Sequence, residues 1–135
     1  MLTDVIVVCT DGSDLSKKAV ETAIGLAKVL GVSVVAMTSV TGRPTHVNGL
    51  EGQTAEVQER LNYVKGKAIE ADVKCELVAE HCQAPYQGIL AVAKRYDARF
   101  IVMASRGLGS FGSFFLGSET QKTLAEADRP VLVVR

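Results

Sequence analysis

The sequence has no excess charge of either sign: 15 Lys and Arg are matched by 15 Asp and Glu. No global field draws such a chain to DNA, RNA or anionic lipid, so neither nucleic acid nor membrane is expected as a partner. No apolar run approaches the ~20 residues needed to cross a bilayer. The opening Met1-Leu2-Thr3-Asp4 has no basic patch, and its apolar run is too short for a signal peptide, so a cytoplasmic location is expected. Cysteine is scarce: Cys9, Cys75 and Cys82 are odd in number and form no CxxC pair. They read as buried free thiols, and His81, the only nearby imidazole, has no spaced partner set for zinc, so no metal site is expected. Internal repeats, linkers and low-complexity tracts are also missing. What is there is a chain of 135 residues, 47% hydrophobic and 22% charged, which suits a single globular domain over residues 1–135. At that size about two-thirds of the surface can be buried, enough for a core without disulfides or a structural metal.

Strand and helix patterns alternate from end to end. Val5–Cys9 (VIVVC) is a continuous apolar, β-branched run, as expected of a strand buried on both faces. Leu15, Ala19, Val20, Ala23, Ile24, Ala27 and Leu30 then recur at helical spacing, with Gly31 where a C-terminal cap belongs. Residues 32–38 (VSVVAMT) read as a second strand, and the glycines, Pro44 and Asn48 between Val40 and Thr54 read as a loop. Val57, Leu61, Val64 and Ala68 mark a second helix. Residues 75–79 (CELVA) make a third, more polar strand expected near a sheet edge. Pro85 suits the first turn of a helix carrying Ile89, Leu90, Val92, Ala93 and Tyr96. Residues 100–104 (FIVMA) are a fourth buried strand, Leu124 and Ala127 belong to a short last helix, and residues 130–134 (PVLVV) are a fifth strand. Five strands joined by helical crossovers require a parallel sheet, and right-handed crossovers place helices on both faces. The expected fold is a three-layer α/β/α doubly wound domain.

Ligands of such sheets bind outside the carboxyl ends of the strands, where strand order reverses. That rule selects Thr10-Asp11-Gly12-Ser13, Ser39-Val40 and the segment from Ser105 to Ser118, SRGLGSFGSFFLGS. The last has Gly107, Gly109, Gly112 and Gly117 and no acid after Arg106, and it feeds a helix. Glycines let backbone N–H groups converge on an anion, and a helix N-terminus favours phosphate. The same residues also fit a plain loop with Ser118 capping the helix and Gln121 completing an S-x-x-Q box. Gly107-x-Gly109-x-x-Gly112 matches the dinucleotide fingerprint formally, but no acid ends the next strand, which closes in Val134-Arg135. Gly112-x4-Gly117-Ser118 has serine where a P-loop has its lysine, so efficient P-loop hydrolysis is not expected. Asp11 is placed to accept a ribose hydroxyl, or else Asp11 or Asp14 caps the next helix. His46 and His81 accompany no recognisable nucleophile, Met103 reads as core, and Lys and Arg of the first two helices read as solvated faces.

Together these residues resemble the universal stress protein family across the whole chain. The resemblance is carried by strand one with Thr10-Asp11-Gly12-Ser13, by Ile101-Val102-Met103 with the glycine segment, and by the closing 129–134 stretch RPVLVV. The ATP-binding branch of that family has G-x2-G-x9-G-[S/T] after strand four; Gly107 and Gly117-Ser118 match its second half, while Ala104 stands at the first glycine. The resemblance implies an adenine nucleotide alpha hydrolase-like fold with strand order 3-2-1-4-5. It implies ATP or AMP lying across the strand ends, with Asp11 on ribose or adenine and Val40 giving backbone contacts to the base. Gly107, Gly117, Ser118, Glu119 and Thr120 would surround the phosphates, and Cys9, Thr10, Met103 and Ala104 would line the pocket. Magnesium, when present, would be held largely by the phosphates. The function implied is a nucleotide-binding stress-response or signalling module read by a protein partner, at most a very slow ATPase and not an enzyme, and a homodimer through the strand-five edge. A dimeric stress protein acting through protein contacts without nucleotide is the alternative.

Overall fold

The computed structural model describes residues 1–41, 45–107 and 116–135, without the side chains of 45–48. Along the chain run β1 (Val5–Cys9), α1 (Asp14–Leu30), β2 (Ser33–Thr41), β3 (Thr45–Asn48) and α2 (Ala55–Glu70). They are followed by β4 (Cys75–Cys82), α3 (Pro85–Arg95), β5 (Ile101–Ala104), α4 (Ser118–Glu126) and β6 (Val131–Val134). The sheet order is β3-β4-β2-β1-β5-β6. Its five parallel strands, β4-β2-β1-β5-β6, are the expected 3-2-1-4-5 arrangement.

The apolar strand runs are explained by burial on both faces. On β1, Ile6 and Val8 face a cluster with Ala19, Ala23, Leu61 and Val64 of α1 and α2. Val5 and Val7 face the other way, toward Ile89, Val92 and Ala93 of α3. Each such side chain contributes about 1.5–3 kcal/mol by leaving water, which is why alternation disappears from the sequence of a central strand. Small residues at Ala19, Ala23 and Ala27 bring α1 close to the sheet, and the helix ends on Gly31 at φ 71°. On α3, Gly88 performs the same service: a Cβ there would lie 2.9 Å from Cys82 Sγ and 3.2 Å from Ser39 Oγ.

Three local expectations are corrected. The stretch read as a loop between Val40 and Thr54 supplies the last residue of β2, Thr41, and the antiparallel edge strand β3, which pairs Val47 with Ala79 of β4. Four residues between turn formers are too few to show a period in sequence. Cys75–Cys82 is accordingly longer than residues 75–79 suggested, because β2 and β3 pair it on both sides. At α4, Ser118 is the first helical residue and Gly117 the N-cap, with no side-chain cap; Gln121 Nε2 donates to the Leu116 carbonyl at 2.8 Å instead of completing a capping box. Ala127 terminates that helix in extended conformation, and the buried residues of α4 are Thr120 and Thr123.

Candidate functional site

The order of the sheet reverses at β1, whose neighbours are β2 and β5, so the carboxyl ends of β1 and β5 diverge into a crevice. The turn after β1 is held by its own hydroxyls. Ser13 caps α1, accepting the Ser16 N–H at 3.2 Å, while Thr10 Oγ1 accepts the Gly12 N–H at 3.2 Å. Asp14 is the first residue of α1 rather than its cap. Asp11 is not the cap either: its Oδ1 accepts the Ser13 N–H at 2.9 Å, which fixes the carboxylate at the rim. Gly12 takes φ 85°, a left-handed conformation that side-chain-bearing residues resist. Thr38 Oγ1 donates to the Thr10 carbonyl at 2.7 Å and so ties the ends of β1 and β2 together.

On the β5 side a short set of backbone bonds positions α4. Ser105 N–H donates to the Val134 carbonyl at 2.8 Å, and Gly117 N–H donates to the Ser105 carbonyl at 2.7 Å. Thr120 Oγ1 donates to the Ala104 carbonyl at 3.0 Å. The first turn of α4 is thereby pinned against the end of β5, where the N–H groups of Ser118, Glu119 and Thr120 have no intrahelical acceptor. Gly117 differs from expectation in one respect, because its own N–H is already taken. Its role is steric: a Cβ there would lie 3.2 Å from Arg106 Cα. Gly107 is tighter still, since a Cβ on it would overlap Asp11 Oδ2. The two glycines therefore permit close approach at two points, Gly107 to Asp11 and Gly117 to Arg106.

These parts enclose a cavity of about 360 Å³, within the range of small-molecule sites. Cys9, Thr10 and Asp11 line it from β1, and Met103, Ala104 and Gly107 from β5 and beyond. Gly117, Ser118, Glu119 and Thr120 line it from α4. Val40 does not; Thr38 and Ser39 represent β2, and Val40 packs against the α1–α2 side of the core. The sequence reading missed Arg60 of α2, Arg106, and Pro85 and Ile89 of α3. Arg60 corrects the view of α2 as presenting only solvated charges. Its signal, a cation on a polar helix face, is shared by every solvated lysine nearby. Gly109, Gly112, Ser110 and Ser113 lie outside the described residues, as does the side chain of His46, while His81 lies on β4 away from the cavity.

Electrostatically the cavity is mixed. Asp11 and Glu119 bring carboxylates, and Arg60 and Arg106 bring guanidinium groups. Glu119 directs its carboxylate to α3, where Oε1 accepts the Tyr86 N–H at 3.4 Å and serves a helix whose N-cap, Ala84, has no side-chain oxygen. Burial, reinforced by the Asp11 charge, pushes the Cys9 thiol up to about 12, so it stays protonated and is no nucleophile at neutral pH. All three cysteines are free thiols. Among the described residues no group of three His, Cys, Asp or Glu side chains converges as a metal site, and no helix is long and apolar enough to cross a membrane.

A sequence model of the universal stress protein family matches residues 3–135. The protein described as "Universal stress protein in QAH/OAS sulfhydrylase 3'region" of Thermus aquaticus is 35% identical over 133 residues, covering 96% of this chain and 97% of the relative. A universal stress protein from Archaeoglobus fulgidus, solved in complex with dAMP, superposes with a TM-score of 0.77 at 22% identity over 100% of both chains. Another, solved in complex with cAMP, superposes with a TM-score of 0.76 at 23% identity, covering 100% of this chain and 98% of its own.

Proposed function

The chain belongs to the universal stress protein family, and from that premise we propose that it binds an adenine nucleotide, ATP or AMP, in the cavity at the strand ends. The observation that carries this reading is the pair of close approaches made by Gly107 and Gly117. Gly117 and Gly107 bring the first turn of α4 and the Asp11 carboxylate to opposite sides of one crevice. A helix N-terminus suits a phosphate, and a carboxylate across from it suits a ribose hydroxyl. The dAMP and cAMP complexes of proteins with this fold support the same assignment. Asp11 and Glu119 are the two carboxylates lining the cavity, and Glu119 is engaged with Tyr86, so magnesium would be held largely by the phosphates.

The nucleotide acts as a signal in this reading rather than as a substrate. Binding without charge stabilisation of the transition state supplies little rate enhancement, so ATP turnover is at most very slow. The liganded state is read by a protein partner in the cytoplasm, and the chain forms a homodimer through the β6 edge, where Leu132 is 39% exposed. Calorimetry with ATP and AMP tests the site. Gly117→Val drives a branched side chain into the Arg106 backbone and should weaken binding more than about a hundredfold. Unchanged affinity in a variant that still folds would remove the phosphate assignment. Mass spectrometry of ligand released from denatured protein identifies which adenine compound is carried.

A further inference from the structure

Arg60 is the charged cavity residue that the strand-end motifs do not account for. It reaches in from α2 with its side chain only 18% exposed. Its stem lies across the β1–α1 turn, so that a Cβ on Gly12 would meet Arg60 Cγ at 3.2 Å. Its Nη2 donates to Glu56 Oε1 at 2.5 Å, and its Nη1 donates to Thr38 Oγ1 at 3.4 Å. Arg60 thus forms the partition between the cavity and a second groove, which runs between α1 and α2 past Lys17, Asn62 and Tyr63.

Place along the cavity decides what this guanidinium can touch. Arg60 stands at the β2 end through Thr38, whereas α4 is pinned to the end of β5. With β1 between β2 and β5, two strand spacings separate these ends, about 10 Å. A ligand whose phosphate rests on the first turn of α4 reaches Arg60 only with its opposite end. Charge agrees with that polarity. Glu56 neutralises Arg60, so its end does not call for a second anion, while Arg106 beside α4 makes no ion pair among the described residues. A guanidinium carries five N–H donors in a fixed plane, and Glu56 and Thr38 use two of them.

We propose that Arg60 is the base-end binding residue of the cavity, donating its remaining N–H groups to the ring nitrogens of a purine whose phosphate lies on α4. The proposal rests on the nucleotide reading above and adds to it the residue that reads the base.

The test is calorimetry on the full chain with three probes: AMP, adenosine and ribose 5-phosphate. Arg60→Met keeps a stem over Gly12 and removes the donors. AMP and adenosine should both weaken about tenfold, the scale of one charge-assisted hydrogen bond, with ribose 5-phosphate unchanged. Arg106→Gln should do the reverse, weakening AMP and ribose 5-phosphate and sparing adenosine. If Arg60→Met leaves AMP affinity intact, or weakens ribose 5-phosphate as much as AMP, the assignment is wrong while the nucleotide reading stands. If the wild-type chain takes none of the three probes, both fall. A melting curve accompanies each variant. If Arg60→Met lowers it, Glu56→Gln serves instead, since it leaves the guanidinium in place but unanchored. That variant should weaken AMP about threefold and spare ribose 5-phosphate, and equal loss of both rejects the proposal.

Discussion

The contact between Gly107 and Asp11 can be tested by adding a single methyl group. A Cβ on Gly107 would overlap Asp11 Oδ2 and come within 3.6 Å of Cγ, with no other described neighbour in contact range. Carbon and oxygen settle near 3.4 Å, so Gly107→Ala requires the carboxylate to move by about 1 Å. Asp11 Oδ1 accepts the Ser13 N–H at 2.9 Å, and a displacement of that size takes the bond beyond hydrogen-bonding distance. A hydrogen bond to a half-exposed carboxylate contributes about 1 kcal/mol, which corresponds to a melting shift of about 4 °C in a domain of this size. The same movement takes Asp11 away from the cavity and should raise the dissociation constant for AMP about tenfold. The decisive arm is the double variant. With Asp11→Ala in place the added methyl meets no described neighbour, so Gly107→Ala should then cost neither stability nor affinity. The two changes should be non-additive by about 1 kcal/mol, read by thermal melts and calorimetry in a double-mutant cycle. Equal losses in the two backgrounds would show that Gly107 serves its own backbone rather than the carboxylate, and the argument would fail.

Three further outcomes are expected. Steady-state ATP hydrolysis, followed by phosphate release, should lie far below the ~10 s⁻¹ typical of enzymes, and sustained turnover near that value contradicts a signalling role. The carbonyls of Pro130 and Val134 accept N–H groups from Ile101 and Ser105, so strand alternation turns the Val133 N–H outward from β5. Val133→Pro therefore removes a donor from the open edge while sparing the β5 ladder, and light scattering should show a dimer reduced to monomer with circular dichroism unchanged; a wild-type mass equal to one chain refutes the dimer. Burial raises the Cys9 thiol from 9.0 to about 12, so the native chain holds this proton better than the unfolded chain. Its stabilisation is complete below about pH 9 and is lost as pH rises toward 12, so the urea midpoint should fall across that window and fall less in Cys9→Ala. An identical decline in the two proteins would separate Cys9 from the effect.

The legible part of this protein is the part whose physics is local or repetitive. A strand buried on both faces must be apolar at every position, so Val5–Cys9 and Ile101–Ala104 declare themselves without knowledge of their neighbours. A parallel sheet follows from helices between strands, and the crevice follows from the parallel sheet. Glycines beside hydroxyls at a strand end mark a close backbone approach, and Gly107 and Gly117 prove to be in such contacts. Tertiary structure decided the rest. The four residues of β3 are a strand only because the edge of β4 is open to them. Ser118 gave way to Gly117 as N-cap because the Gly117 N–H is drawn to the Ser105 carbonyl across the turn. Thr38 and Ser39 line the cavity in place of Val40 because register pairs Cys9, the last residue of β1, with Met37, which sets Thr38 and Ser39 level with Thr10 and Asp11 while Val40 runs on beyond them. Arg60 could not be told from its solvated neighbours by residue type. Only the rotation of α2 about its axis, set by Leu61 and Val64 entering the core, turns that one guanidinium inward over Gly12.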